Sequence, residues 1–162
     1  MFYSYCILFF IYSFLGWIME VTLTLITDKK FVNRGFLLGP CCPIYGCGCI
    51  LLNLLLHNYT NNILVLFILT MFTCSLLEYI TSFLMEKIFK LRWWDYSQMK
   101  FNINGRICLE TMTPFSILGV LAIKFATPFF ITNINKLSEK TILIISMILI
   151  TLFIIVSYKK LL

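Results

Sequence analysis

Three glutamates, Glu20, Glu78 and Glu110, lie within long apolar stretches of the chain, and two arginines, Arg34 and Arg106, stand close to them in sequence. A carboxylate in hydrocarbon costs a few kcal/mol unless it is paired or wetted, so ionisable residues in such places point to a substrate or ion pathway. Spacing gives each glutamate a polar surround. Ser13, Gly16, Glu20 and Thr24 follow one another at steps of three and four, as do Ser75, Glu78 and Ser82, and Arg106, Glu110 and Thr113. On a helix, residues so spaced share one face. Small and polar faces pack on other helices rather than on lipid. Three of them turned inward predict a shared polar cavity that binds a polar or ionic substrate. The bland alternative is a packing device in which Arg34 and Arg106 only neutralise Glu20 and Glu78.

The elements that must position these groups are membrane helices. Of the residues, 60% are apolar and 12% charged, with a mean hydropathy of +0.94, whereas soluble domains carry about 25% charged residues. Apolar runs of about 20 residues cross the roughly 30 Å of hydrocarbon, and five are expected, near 2–26, 36–56, 63–85, 106–127 and 141–158. The fold class is therefore all-α, a polytopic helical membrane protein with a single transmembrane domain over 1–162. The first run has no basic residue before it and no small-residue cleavage site after it, and reads as a retained helix rather than a signal peptide.

Basic residues set the orientation. Lys29, Lys30 and Arg34 fall in the first loop, Lys87, Lys90, Arg92 and Lys100 in the third, and Lys159 and Lys160 at the C-terminus. The N-terminal tail and the second loop have none, and the fourth loop has Lys136 and Lys140. By the positive-inside rule the N-terminus is outside and the C-terminus cytoplasmic. The net charge of +6 then reflects juxtamembrane lysines beside anionic lipid, so the partner is a bilayer and not nucleic acid. With this topology the three glutamates sit about 6 to 11 Å below the cytoplasmic interface, counting 1.5 Å per residue.

Two segments interrupt the apolar pattern. In "NRGFLLGPCCPIYG" (33–46), Gly39, Pro43 and Gly46 would share a helix face, and Pro40 and Pro43 remove two backbone donors and disfavour helical geometry at Gly39 and Cys42. The second span should therefore start broken or re-entrant. At membrane depth such backbone survives only where it is buried in protein or lines a wet cavity, so it is expected to wall the cavity. Freed N–H groups and Arg34 would suit an anion, freed carbonyls a cation. In the third loop, "EKIFKLRWWDYSQMKFNINGRICLE" (86–110), Trp93, Trp94, Tyr96 and Phe101 alternate with Lys90, Arg92 and Lys100, the pattern of a segment at headgroup level. Asn104-Gly105 is a turn signal. The loop is expected to lid the cavity and to supply Asp95 or Asn102 to it.

Other chemistries find no support. No GxxxxGK[ST] occurs, so an ATPase would be a separate chain. Cys41, Cys42, Cys47 and Cys49 match no zinc spacing and have no histidine near them, so they read as small packing residues, and no metal or cofactor is expected. His57 stands alone in an outer loop, which leaves a histidine-based nucleophile scheme without its base. Lys124, near the outer end of the fourth span, reads as a snorkelling lysine.

Four ordered motifs carry a resemblance: "FxxYSFLGWIMEV" (Phe9 to Val21), "FVNRGFLLGPCCPIYG" (Phe31 to Gly46), "LLEYITSFLMEKIF" (Leu76 to Phe89) and "RWWDYSQMKFNINGRICLE" (Arg92 to Glu110). Over residues 5–127 the chain resembles the bacterial family labelled "putative ABC-transporter type IV permease", with the C-terminal helix (141–158) additional to that core. The resemblance implies a transport role in the bacterial plasma membrane. It also implies that Gly16, Trp17, Glu20, Asn33, Arg34, Gly35, Gly39, Pro40, Pro43, Tyr45, Gly46, Glu78, Tyr79, Glu86, Trp94, Asp95, Tyr96, Asn102, Gly105 and Arg106 carry the family's pattern.

Taken with the residue reading, the expected substrate-binding set is Glu20, Asn33, Arg34, Tyr45, Glu78, Asp95, Asn102, Arg106 and Glu110, and Gly16, Gly35, Gly39, Pro40, Pro43, Gly46, Trp94 and Gly105 are expected to be structural. Three functions compete. The first is a small permease-type transport component, which, having few helices for alternating access, would work as a homo-oligomer or with partner membrane subunits. The second is a membrane enzyme on a lipid or isoprenoid headgroup, with carboxylates as acid, base or Mg2+ ligands and arginines on phosphate. The third is a structural or regulatory subunit of a membrane complex.

Overall fold

A chain this apolar has to satisfy its backbone within itself, and helices do so segment by segment. The computed structural model describes residues 2–33, 35 and 39–161, the side chains of Asp28 and of 159–161 excepted. Its elements are α1 (Phe2–Asp28), α2 (Pro43–Leu56), a 3-10 turn (His57–Tyr59), α3 (Ile63–Phe89), β1 (Asn102–Ile103), β2 (Ile107–Cys108), α4 (Leu109–Leu121), a π-helical segment (Ala122–Ala126), α5 (Thr127–Ile134) and α6 (Glu139–Leu161).

Among the described residues, four helical runs are long and apolar enough to cross a membrane: Phe2–Thr27, Ile63–Phe89, Leu109–Ile134 and Glu139–Tyr158. The protein is a multi-pass membrane protein. Among the described residues the expected second span is represented by α2, which has only 14 residues, about 21 Å at 1.5 Å per residue. Pro43 sets its start: at the first helical position the missing N–H is not needed, whereas one turn further in it would break the helix. Gly39 to Cys42 stay outside the helix, so Gly39 does not share a helix face with Pro43 and Gly46. The fourth span also differs, starting at Leu109 and running on past residue 127 to Ile134.

The chain divides into two compact units, Met1–Ile50 with Thr127–Leu162, and Leu51–Ala126. In the first, α1 packs on α5 and α6 through Ile7, Ile134 and Ile142, with Ile11, Phe130, Ile145 and Leu149 around them. Polar groups inside this apolar contact are matched: Tyr12 and Thr127 hydroxyls lie 2.7 Å apart, and Ser4 donates to Asn135 Oδ1 at 3.1 Å. The start of α2 lies against α1 at two glycines. A Cβ on Gly16 would overlap the Tyr45 ring, and one on Gly46 would come within 2.5 Å of the Phe9 carbonyl oxygen.

In the second unit α3 packs along α4. Gly119 makes the approach possible, since a Cβ there would lie 2.9 Å from Leu52 Cδ1 and closer still to Thr70. Leu52, Leu56, Leu66, Val120 and Ile123 form the core. Asn62 caps α3 by accepting from the Val65 N–H at 3.2 Å. Lys90 ends it in the left-handed region (φ 56), its N–H bonded to the Glu86 carbonyl, a common way to stop a helix.

Replacing Gly46 by Ala tests the α1–α2 approach. Intrinsic propensity would favour alanine in a helix by about 1 kcal/mol, but the clash with Phe9 backbone predicts a loss of about 1 to 3 kcal/mol. A lower thermal midpoint for the detergent-purified variant is the expected result.

Candidate functional site

In the first unit the site is built where α1 meets the chain leading into α2. Tyr45, in the first turn of α2, donates its phenol to Glu20 Oε1 on α1. One turn earlier on α1, Trp17 Nε1 donates to Asn33 Oδ1 at 2.7 Å, and the same oxygen accepts the Gly35 N–H at 3.0 Å. A side chain at Gly35 would press within 2.9 Å of the Gly39 carbonyl. Between them, Gly39 O accepts from Cys41 N–H (2.8 Å), and Ser13 O, on α1, accepts from Cys42 N–H (2.9 Å). Glu20, Asn33 and Tyr45 are thus placed around α1 by the same segment. Arg34 lies outside the described residues. A Cβ on Gly39 would meet nothing within 4 Å and Pro40 is exposed, so neither is held by close packing here.

In the second unit the segment after α3 folds back along that helix. Ser75, Glu78 and Ser82 are buried on one stripe of α3, as the spacing predicts. Tyr96 donates to Glu78 Oε1 at 3.2 Å and Asn104 Nδ2 donates to Tyr79 at 2.8 Å. Arg106 enters between them: its guanidinium donates to Ser82 Oγ at 3.2 Å and to Glu86 Oε2 at 2.6 Å, and lies 5.4 Å from the Phe83 ring centre and 5.7 Å from that of Tyr79. Such cation–π distances add to the pairing. Glu86 spends its other oxygen on Arg92 Nε at 3.0 Å, and Arg92 reaches Asp95 at 3.6 Å.

The fold-back is shaped by a hairpin. Asn104 (φ 54) and Gly105 (φ 67) both occupy the left-handed region, and Arg106 N–H closes the turn onto the Ile103 carbonyl at 3.0 Å, the geometry of a type I′ turn that Asn-Gly favours. A Cβ at Gly105 would strike Ser97 and Asp95. Asn102 Oδ1 accepts the Gly105 N–H at 2.9 Å, its Nδ2 donates to the Met99 carbonyl at 2.6 Å, and Trp94 Nε1 donates to the Arg106 carbonyl at 2.9 Å.

Several expectations change. Arg106 precedes α4 and sits in the hairpin, so Arg106, Glu110 and Thr113 do not form a helical stripe; Glu110, in the first turn of α4, and Thr113 are exposed. An acid there complements the helix dipole. The carboxylate that Arg106 meets is Glu86 and not Glu78. Asp95 and Asn102 spend their polar atoms inside the loop. Two partners stand outside the expected binding set although both belong to the family pattern. Glu86 also continues the Glu78–Ser82 stripe by four more residues; Tyr96 has only the motif to mark it, since a long-range loop contact has no periodicity.

In the segment after α3, Asp95 and Tyr96 have displaced proton affinities. Ser97, donating both its hydroxyl and its N–H, and then the charge of Arg92 hold the Asp95 carboxyl below the ordinary range. Burial first, and then the neighbouring Glu78 charge, push the Tyr96 phenol up, so Tyr96 remains a donor to Glu78 at every physiological pH. Among the described residues no three His, Cys, Asp or Glu side chains group in a way that could hold a metal ion.

Asp95, with its folded value depressed, stabilises the loop above the ordinary Asp range near 3.9 and loses that contribution as pH falls through the folded value. Tryptophan fluorescence of the wild type and of Asp95→Asn should therefore diverge at neutral pH and converge below about pH 4. Glu86→Gln should lower the thermal midpoint of the detergent-purified protein, because it weakens the ion pairs to both Arg92 and Arg106. Adding Arg106→Met should restore part of it.

No curated protein matches this chain, and no solved structure does. The sequence pattern of the family described as "Putative ABC-transporter type IV" matches residues 7–159, running from the first turns of α1 through α6 and covering both clusters above. The chain belongs to that family.

Proposed function

We propose that this protein is a small permease-type component of a transport system, with polar, cytoplasm-facing intramembrane sites at Glu20 and Glu78. One observation carries the reading. In each unit a glutamate on the polar face of a spanning helix accepts the phenol of the segment that follows that helix, Tyr45 on Glu20 and Tyr96 on Glu78. The ion pair that Arg106 makes goes to Glu86, so this arginine anchors the loop on α3. An ionised carboxylate accepts at about four lone-pair sites, so a phenol on one oxygen is compatible with a cation, an amine or a proton bound as well.

Orientation follows the lysine distribution, with the N-terminus outside the plasma membrane and the C-terminus in the cytoplasm. The non-helical entry to α2 serves as a re-entrant wall beside Glu20, in keeping with irregular backbone being tolerated only against protein or water. Family membership and the absence of a phosphate-binding GxxxxGK[ST] from these residues support a separate ATPase chain and partner membrane subunits. Asn102, Asp95 and Arg106 position the 90–108 segment over α3.

A second reading draws on where the polar groups lie. Ser82, Glu86, Arg92, Asp95 and Arg106 gather at the C-terminal end of α3, which suits an enzyme working on a lipid headgroup at one interface, with Mg2+ bridging a carboxylate and the substrate's phosphate.

Native mass spectrometry of the detergent-purified protein beside Glu20→Gln and Glu78→Gln separates the two. A polar low-mass ligand on the wild type, lost in both well-folded variants, is the expected result. A phosphate-bearing lipid lost in the same way would overturn transport in favour of the enzyme, and poorly folded variants without ligand in the wild type would leave a structural subunit.

A further inference from the structure

The loop after α3 returns along that helix, and α3 itself measures how deep it goes. The polar turn His57–Tyr59 and the cap of α3 at Asn62 do not suit hydrocarbon. Lys124 marks the same level on the neighbouring helix, since Ile123 packs with Leu66 and lets its lysine neighbour snorkel to that turn. Hydrocarbon therefore begins no earlier than Ile63. Its roughly 30 Å takes about 20 residues of an upright helix and more of a tilted one. The far edge falls at about Ser82, or closer still to Phe89.

The hairpin lies below that edge. Gly119 of α4 meets Thr70 of α3, so Leu109, at the start of the antiparallel α4, is level with about Ile80. Leu109 N–H bonds the Phe101 carbonyl at 3.0 Å, which brings the hairpin to the same depth, about 3 Å or more inside hydrocarbon. The bond from Asn104 to Tyr79 agrees with this level. Asn102 and Asn104 spend their amides on Gly105, Met99 and Tyr79. Phe101 and Ile103 alternate onto the other face, where they are 69% and 55% exposed, and Leu109 is exposed beside them. Toward the end of α3 the carboxylates of Glu86 and Asp95 are taken by Arg92 and Arg106, and no ion pair among the described residues includes Lys87, Lys90 or Lys100.

We propose that the Phe101–Ile103 face of this hairpin is a lipid-docking wedge. It enters the acyl layer of the leaflet at the C-terminal end of α3, while Lys87, Lys90 and Lys100 gather the phosphates of anionic lipids above it. Depth selects acyl chains over water as the occupant, because apolar side chains at that level bury best among them. Charge selects the headgroup: basic side chains next to a membrane surface draw anionic lipid to themselves. A second copy of this chain on the same face is disfavoured, since it would bring like charges together. The inference uses no part of the transport reading, and its test measures depth and lipid preference only, so either can fail alone.

The full chain, with an environment-sensitive fluorescent amino acid in place of Phe101, is reconstituted in phosphatidylcholine vesicles whose lipids carry a nitroxide on the headgroup, on the fifth acyl carbon or on the twelfth. Quenching should be strongest from the fifth carbon and weakest from iodide in the water. Acceptor-labelled phosphatidylglycerol, added as a minor component, should then gather around the probe about fivefold more than acceptor-labelled phosphatidylcholine, and the combined Lys90→Gln and Lys100→Gln changes should erase that preference. Strongest quenching from the headgroup or from iodide overturns the proposal. So does quenching from neither lipid nor water, which would mean that protein covers the patch. Equal gathering of the two lipids around the unchanged lysines overturns it as well. If the chain altered at Phe101 does not fold, the probe is moved to Ile103 under the same criteria.

Discussion

A guanidinium brought against the flank of a membrane helix has to be met by an anion and by acceptors for its remaining N–H groups, and the arrangement around Arg106 follows from that demand. Its head takes Glu86 and Ser82 from successive turns of α3 and lies close to Phe83 and Tyr79, while its carbonyl receives Trp94. For Arg106 to arrive there the chain must reverse just before it, which is the work of Asn104 and Gly105 in the left-handed region. The reversal in turn sets Tyr96, whose N–H bonds the Gly105 carbonyl at 2.8 Å, opposite Glu78. A buried ion pair is weak evidence of net stability but strong at fixing register, and here it fixes which residues of a long loop face α3.

The first unit reaches a comparable end by different means. No ion pair among its described residues organises it; instead glycines let the start of α2 approach α1, so that Tyr45 lies over Gly16 and reaches Glu20. Close approach replaces charge as the positioning device. Both routes bring a phenol onto a carboxylate, a hydrogen bond that holds the carboxylate in place.

Much of this was legible from residue order. Composition and run length gave the membrane class, and the small-and-polar stripe around Glu78 was buried as its spacing required. Asn104-Gly105 marked the turn. Where the reading failed, the cause was a competing local rule. An apolar run from 36 looked long enough to span, but Pro43 starts α2 late and leaves 14 residues of helix. Arg106 fitted a helical stripe by number, yet the Asn-Gly turn before it kept it out of α4 and sent it to Glu86. The boundary of the fourth span was read too early because Lys124 and Thr127 resemble an end, whereas a π segment carries the helix through them.

The backbone before α2 bears on how the protein is made. Cys42 N–H is satisfied by the Ser13 carbonyl, and the Tyr45 phenol bonds Glu20, so this stretch draws partners from α1 as well as from itself. In lipid an unsatisfied amide costs several kcal/mol, and a 14-residue helix is too short to enter the bilayer unaided. The segment around α2 therefore cannot precede its neighbour into the membrane. Synthesis from the N-terminus delivers α1 first, and the order of the chain becomes the order of insertion: a long autonomous helix supplies the template on which a dependent one is laid.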